Sequence, residues 1–250
     1  YVRVGEKSGE SQLTLISATK KMPKLDVLVE RLRAAAPSLT GILLNHNQRD
    51  DNVILGNRTD VLWGEPMLED RLCGHTFLLS PEAFYQVNPV QAERLYERAV
   101  EYAVNAPTDQ VLDLYCGAGT FPLPLARRCD FVAAVEAYGP AVRDLRRNLE
   151  INKLDNVDVI GGDAVREFPD QDADVLVVDP PRAGLAPEAI DLIASTSARD
   201  VAYVSCDPAT LARDLKRFVE EGTFSPVKIT PVDLFPQTFH CETVVHLKRN

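Results

Sequence analysis

In the stretch Ser205-Cys206-Asp207-Pro208-Ala209-Thr210, a cysteine sits between an apolar, strand-like run and a helix start. Val201, Ala202, Tyr203 and Val204 precede it. A proline at the first helical position with an aspartate before it is a strong helix-start signal. Cys206 is therefore predicted at the carboxyl end of a strand, beside the positive end of a helix. That environment lowers a thiol's pKa and makes a nucleophile. The tail Asp233-Leu234-Phe235-Pro236-Gln237-Thr238-Phe239-His240-Cys241-Glu242-Thr243 puts Glu242 at the start of the last strand, predicted near the sheet centre. A partly buried carboxylate near a reactive cysteine is what a proton-abstraction step needs. Read alone, such a glutamate is more often a surface charge at a strand entry. His240 and Cys241 carry little by themselves, because a Cys–His hydrolase would also need an oxyanion motif.

A second constellation is Asp113-Leu114-Tyr115-Cys116-Gly117-Ala118-Gly119-Thr120-Phe121, after a strand and before a helix. Gly117 and Gly119 let the backbone turn tightly beneath a ligand. A dinucleotide fingerprint would place a third glycine at position 122, which is Pro122; this disfavours a nicotinamide enzyme. Two glycines suit a ligand without phosphates. Glu136 ends the next strand, 23 residues after Asp113. A carboxylate there accepts hydrogen bonds from ribose hydroxyls. Together these residues point to S-adenosylmethionine. Asp163, after a third strand, reads either as a contact to the adenine edge or as a helix cap.

Two further segments complete the set. Val178-Asp179-Pro180-Pro181-Arg182-Ala183-Gly184-Leu185 ends a fourth strand, where ligands bind in open α/β sheets. Its prolines stiffen the turn that carries Asp179. Amino-group methyltransferases have a similar loop followed by an aromatic, but here Arg182 takes that place. An exocyclic amine is thus a poorer fit as target. In Phe84-Tyr85-Gln86-Val87-Asn88-Pro89, Gln86 offers an acceptor and two donors, suited to an amide edge or to the cofactor. It reads alternatively as packing between two parts of the chain.

The elements that must position these residues fall into two parts. Residues 1–88 read as a small α/β unit. Strands are predicted over 2–4, 13–17, 39–44, 53–55 and 61–63, a helix after Pro23, and a hairpin around Gly74. Residues 89–250 read as a SAM-dependent methyltransferase domain of Rossmann-like α/β class. Helices are predicted over 89–104, 121–128, 141–151, 187–194 and 208–220. Strands are predicted over 111–114, 131–135, 157–160, 175–178, 201–204, 227–232 and 243–247. Nearly continuous apolar strands alternating with amphipathic helices mean a mostly parallel sheet covered on both faces. The last two strands, with no helix between them, predict a closing antiparallel hairpin.

Composition narrows the setting. No apolar run approaches the ~20 residues of a membrane span, and the first residues hold no signal-peptide core. Starting as if inside a strand and without Met, the chain is expected to lack an upstream module. Its 5 cysteines are odd in number and widely spaced, which argues against a disulfide scaffold and for a reducing, cytoplasmic setting. No Cys-x-x-Cys pair points to a metal. The net charge of −10 is concentrated after residue 88, with 17 basic against 26 acidic residues. Such a chain is a poor general polyanion binder. Local patches at Lys20-Lys21, Lys24, Arg146-Arg147 and Lys248-Arg249 are candidate contacts, or simply solvated faces.

Taken together, the motifs at 84–89, 113–121, 179–185, 205–211 and 235–242 resemble the RNA uracil-5-methyltransferase family, in the family's order. These enzymes make 5-methyluridine in transfer and ribosomal RNA. The resemblance implies Cys206 as nucleophile and Glu242 as general base. It further implies that Gln86, Tyr115, Gly117, Thr120, Glu136, Asp163 and Asp179 line the SAM pocket, with Gln86, Asp179 and Arg182 toward the uracil. Trp63-Gly64 is similar, more weakly, to the family's central domain. The family often has Asn after the cysteine; Asp207 here adds a negative charge that opposes thiolate formation. The family's N-terminal RNA-binding barrel and iron–sulfur cysteine cluster are not in this sequence. The residues also leave open a SAM-dependent methyltransferase acting on another base atom or a small molecule, or a non-catalytic RNA-binding module on the same fold.

Overall fold

The computed structural model describes all residues except Lys20, Lys21 and Gln171, so the first basic patch lies largely outside the described residues. The chain forms two units, Tyr1–Ala83 and Phe84–Asn250.

In the first unit, β1 (Val2–Val4), β2 (Ser11–Ser17), β3 (Leu39–His46) and β4 (Arg58–Gly64) form one sheet in that order. Helix α1 (Leu25–Ala35) makes the crossover between the parallel pair β2 and β3. Its Val29 packs with Leu39 and Ile42 in a small core flanked by Leu13 and Trp63. β5 (Leu68–Leu72) and β6 (His75–Leu79) form the hairpin around Gly74. The strand expected over 53–55 is absent, and side-chain amides explain why. Asn47 Nδ2 donates to the carbonyls of Val53 and Ile54 at 2.7 and 2.9 Å. Asn45 pairs with both the N–H and the carbonyl of Gly56. Asparagine side chains thus satisfy the backbone locally and compete with a ladder, leaving Ile54 exposed.

The second unit opens with α2 (Pro89–Ala103), whose N-cap Asn88 accepts from Gln91 N–H. There follow β7 (Gln110–Leu114), α3 (Pro122–Ala126), β8 (Phe131–Glu136), α4 (Gly139–Asn152), β9 (Val157–Gly161) and β10 (Val175–Val178). The unit ends with α5 (Pro187–Ser195), β11 (Asp200–Ser205), α6 (Pro208–Glu220), β12 (Phe224–Val232) and β13 (Glu242–Arg249). The sheet order is β12-β13-β11-β10-β7-β8-β9. Pairings from β9 to β11 are parallel, and β13 runs antiparallel to both β11 and β12. α3 is shorter than the predicted 121–128, because Arg128 N–H turns back to the Leu125 carbonyl and ends it. β13 lies second from the sheet edge rather than at its centre, yet it is flanked on both sides. One face is filled by Leu112, Leu114, Leu176, Val178, Tyr203 and Val245, packed with Ile190, Leu211 and Phe218 from the helices α5 and α6. No described helix is long and apolar enough to cross a membrane.

This topology gathers chemistry along one edge. The parallel strands β7 to β11 all end there, and antiparallel β13 begins there. Tyr115, Glu136, Asp179, Cys206 and Glu242 therefore share an edge although they span much of the sequence.

Candidate active site

Register brings the cysteine and the acid together. Across β11 and β13, Val204 faces Val244 and Ser205 faces Thr243. Cys206 and Glu242 are the residues next beyond that last pair, and the charge of Glu242 acts on the Cys206 thiol. Residues opposite one another in an antiparallel ladder lie on the same face, with Cα atoms roughly 4.5–5.5 Å apart. Cys206 is half-buried, whereas Glu242 is only 5% exposed.

The electrostatics correct the expectation of an acidified thiol. Burial pushes the Cys206 thiol up, and the negative charges of Glu242 and Asp179 push it further; Arg182, and after it a hydrogen bond to the residue's own backbone, pull it down. The predicted helix end is present, but Asp207 occupies it. Its Oδ1 accepts from the N–H groups of Ala209 and Thr210 at 2.9 and 3.2 Å. The cap stabilises the helix while spending two of the N–H groups whose positive end would otherwise face the thiol. Burial also raises Glu242, again opposed by Arg182. Asp179 is pushed up to about 8, first by burial and then by Glu242. The site at rest is a crowd of acids short of positive charge.

Arg182 reaches this crowd from an exposed loop that is firmly held. Thr210 Oγ1 donates to its carbonyl at 3.1 Å. Arg213 Nη2 donates to the Ala183 carbonyl at 2.8 Å. Asp214, buried at 1% exposure, accepts from Leu185 N–H at 2.8 Å and from the Tyr203 hydroxyl at 2.7 Å. The helix that follows Cys206 thus clamps the loop that carries Asp179 and Arg182. The Arg182 guanidinium in turn lies 2.6 Å from His240 Nδ1. A guanidinium only donates, so Nδ1 accepts and the ring carries its proton on Nε2.

The glycine turn lies along the same edge. Tyr115, Gly117 and Gly119 all have positive φ, at 70°, 57° and 105°. The φ of 105° at Gly119 is one that other residues rarely adopt, and a Cβ there would also crowd the terminal methyl groups of Leu123 and Leu145 at 2.6 and 2.7 Å. A Cβ on Gly117 would meet nothing within 4 Å, which leaves open space above the turn. Glu136 Oε2 accepts from Gly117 N–H at 2.9 Å, and Oε1 from Tyr138 N–H at 2.7 Å. The acid therefore braces the turn while keeping lone pairs for a ligand. Asp163 Oδ1 caps a turn at Val165 and Arg166. Thr120 is half-buried beside the glycines, and Gln86 is buried at 7% exposure in the segment before α2. Asn88 Nδ2 ties that segment to the Leu234 carbonyl at 3.2 Å, just ahead of the Glu242 loop.

Asp113 is the residue that sequence reasoning passed over. It is fully buried, and neither carboxyl oxygen has a hydrogen-bond partner among the described residues. Burial, then Asp179 and Glu136, raise its pKa well above the usual carboxylate range. An orphaned buried acid inside an apolar strand is costly unless a ligand answers it. The signal was an acidic residue within Val111-Leu112-Asp113-Leu114. The orphaned carboxyl and the open space over Gly117 both fit a cofactor with a cationic amino-acid end and a sugar.

The fold is that of class I methyltransferases. At fold level only, the chain is similar to Pyrococcus horikoshii TYW2 in complex with MeSAdo, with TM-score 0.65 and 17% identity over 98% of this chain and 89% of that one. The model of the tRNA (uracil-5-)-methyltransferase family matches residues 59–250, and the chain belongs to that family. An uncharacterized RNA methyltransferase of Oceanobacillus iheyensis is 39% identical over 98% of this chain and 54% of its own length. The structure of Pyrococcus abyssi tRNA (uracil-54, C5)-methyltransferase in complex with S-adenosyl-L-homocysteine superposes with TM-score 0.82 at 29% identity, over 98% of this chain and 57% of that one. The chain thus spans about half the length of the curated relatives it matches.

Proposed function

We propose that this chain carries the catalytic site of a SAM-dependent RNA methyltransferase that methylates C5 of a uridine in transfer or ribosomal RNA, through a covalent bond between Cys206 and C6. The observation that carries the reading is that Cys206 and Glu242 flank the last pair of the β11–β13 ladder, with Glu242, Asp179 and Arg182 all in electrostatic reach of the thiol.

Uracil C5 is a weak nucleophile. Attack by the Cys206 thiolate on C6 forms an S–C6 bond and shifts the C5=C6 electron pair toward C5 and O4. The ring is then nucleophilic at C5. S-adenosylmethionine, when bound, supplies the electrophilic methyl group and positive charge. Asp113 and Asp179 would hold its amino-acid end, Glu136 its ribose, and Tyr115, Gly117, Thr120, Asp163 and Gln86 would line the rest. Once C5 is methylated, Glu242 removes the C5 proton. Those electrons re-form C5=C6 and expel the thiolate. Gln86, Asp179 and Arg182 would contact the uracil carbonyls and N3–H. A base inside folded RNA must first be flipped out, at a cost of a few kcal/mol, roughly.

The raised thiol fits this order of events. The cysteine stays protonated until positive charge enters the pocket, which limits side reactions of a free thiolate. Arg182 is the one residue that lowers both Cys206 and Glu242, so it keeps both close to their working states. The test is Cys206→Ala: methyl transfer to RNA should vanish while S-adenosylmethionine still binds in a calorimetric titration. Retained turnover would overturn the mechanism. Locating 5-methyluridine in RNA from cells with and without the protein would identify the acceptor.

A further inference from the structure

Phe239 is the most exposed large hydrophobic residue among those described, at 91%. A ring left this open gains none of the stabilisation that burial would return. It nevertheless sits in a held turn. Thr238 Oγ1 donates to the Phe235 carbonyl at 2.7 Å, and His240 N–H donates to Thr238 Oγ1 at 3.2 Å. Gln237 takes the left-handed conformation at φ 67°. The Phe239 ring centroid lies 4.2 Å from that of His240, tilted by 40°. His240 is bound at 2.6 Å to Arg182, and two residues further on is Glu242. The ring therefore lies in the turn that leads into Glu242, linked through His240 to Arg182, whose charge acts on Cys206 and Glu242.

We propose that Phe239, backed by His240, is a stacking platform for an unpaired base of the substrate RNA next to the flipped uridine. The proposal rests on the reading of the site as an RNA uridine methyltransferase and names how that site holds its substrate. The occupant follows from the surroundings. A protein interface would need a contiguous apolar patch, yet Pro236, Gln237 and Thr238 beside the ring are exposed and largely polar. A flat ring, an imidazole behind it and a guanidinium alongside are what recognise an unstacked base and its phosphate. Flipping one base out of a stack unstacks its neighbours, and an aromatic face beside the reacting groups replaces the lost contact.

The test uses the full-length protein and total RNA from cells lacking the gene, with tritiated S-adenosylmethionine as donor. Base–aromatic stacking of ~1–3 kcal/mol corresponds to roughly 5- to 150-fold. Phe239→Ala should raise KM for RNA by at least fivefold, with most of the loss in KM rather than kcat. Phe239→Trp should restore it. Phe239→Leu, which keeps apolar area without a flat ring, should not. A KM for the alanine variant within threefold of wild type, or a leucine variant equal to wild type, would overturn the platform. If the wild-type protein makes no 5-methyluridine, the parent reading fails and the platform with it. If the wild type does and Phe239→Ala is indifferent, the platform alone fails. Because Phe239 is exposed, thermal unfolding of the alanine variant should match wild type, so a KM change cannot be laid to misfolding.

Discussion

Replacing Asp179 by Asn should stabilise the protein while disabling it, and the gain should grow with pH. The folded structure raises the Asp179 carboxyl from 3.8 to about 8, chiefly by burial and then by the charge of Glu242. The folded state therefore holds a proton that the unfolded chain releases. Stability is fully present below about pH 4 and is lost as pH rises toward about 8, the window between the two values. Each pH unit inside that window is worth about 1.4 kcal/mol, so roughly 4 kcal/mol is lost from this group between pH 5 and pH 8. Asparagine keeps the shape and has no proton to lose. Asp179→Asn should therefore gain roughly 3–6 °C in melting temperature over wild type at pH 5 and roughly 10–20 °C at pH 8, taking 2–4 °C per kcal/mol for a chain of this size. The assay is thermal unfolding of the cofactor-free protein, wild type and variant, across that pH range. A gain that is equal at both pH values, or larger at pH 5, would refute the reasoning. Methyl transfer should fall steeply in the same variant, the usual trade between stability and a charged site.

Other outcomes follow from the same geometry. Asp214→Asn removes the charge that holds Leu185 N–H, Tyr203 and Arg213; denaturant unfolding should show a loss of about 2–3 kcal/mol, and turnover should fall because the Arg182 loop loosens. Gly119→Ala forces a Cβ into Leu123 and Leu145 at φ 105°, so the melting temperature should drop by an amount equal to ~1–3 kcal/mol and S-adenosylmethionine affinity with it. Arg182→Gln removes the one charge that lowers both Cys206 and Glu242, so the pH profile of kcat/KM should shift its rising limb to higher pH, whereas an unmoved profile would leave Arg182 with no electrostatic part.

How much of this was legible in the sequence depends on which link is asked about. Strand and helix identities after residue 88 follow from apolar periodicity and from Pro89, Pro187 and Pro208 at helix starts, because those signals are local. The meeting of Cys206 and Glu242 depends on the register of two antiparallel strands, which the sequence implies only through the hairpin at the chain's end. The sense of the thiol's shift was not legible. A helix start argues for acidification, but the sum over Glu242, Asp179, burial and Arg182 needs three dimensions. Asp207 was visible as a cap, yet its consequence, that it occupies the helix end, required the hydrogen bonds to Ala209 and Thr210. The false strand at 53–55 arose because Val53, Ile54 and Leu55 carry strand propensity, while Asn45 and Asn47, several residues away, claim the backbone first.

The central claim is that one sulfur and one carboxylate serve a single pyrimidine ring. An acceptor RNA carrying 5-fluorouridine offers no C5 proton for Glu242 to remove, so the sequence of events must stop with the nucleotide attached to the enzyme. Mass spectrometry of the digested protein after incubation with that RNA and S-adenosylmethionine should find a methylated fluoropyrimidine nucleotide on the peptide that contains Cys206, and nothing on that peptide in Cys206→Ala. No adduct under turnover conditions, or an adduct on Cys73, Cys116, Cys129 or Cys241 instead, would contradict the account.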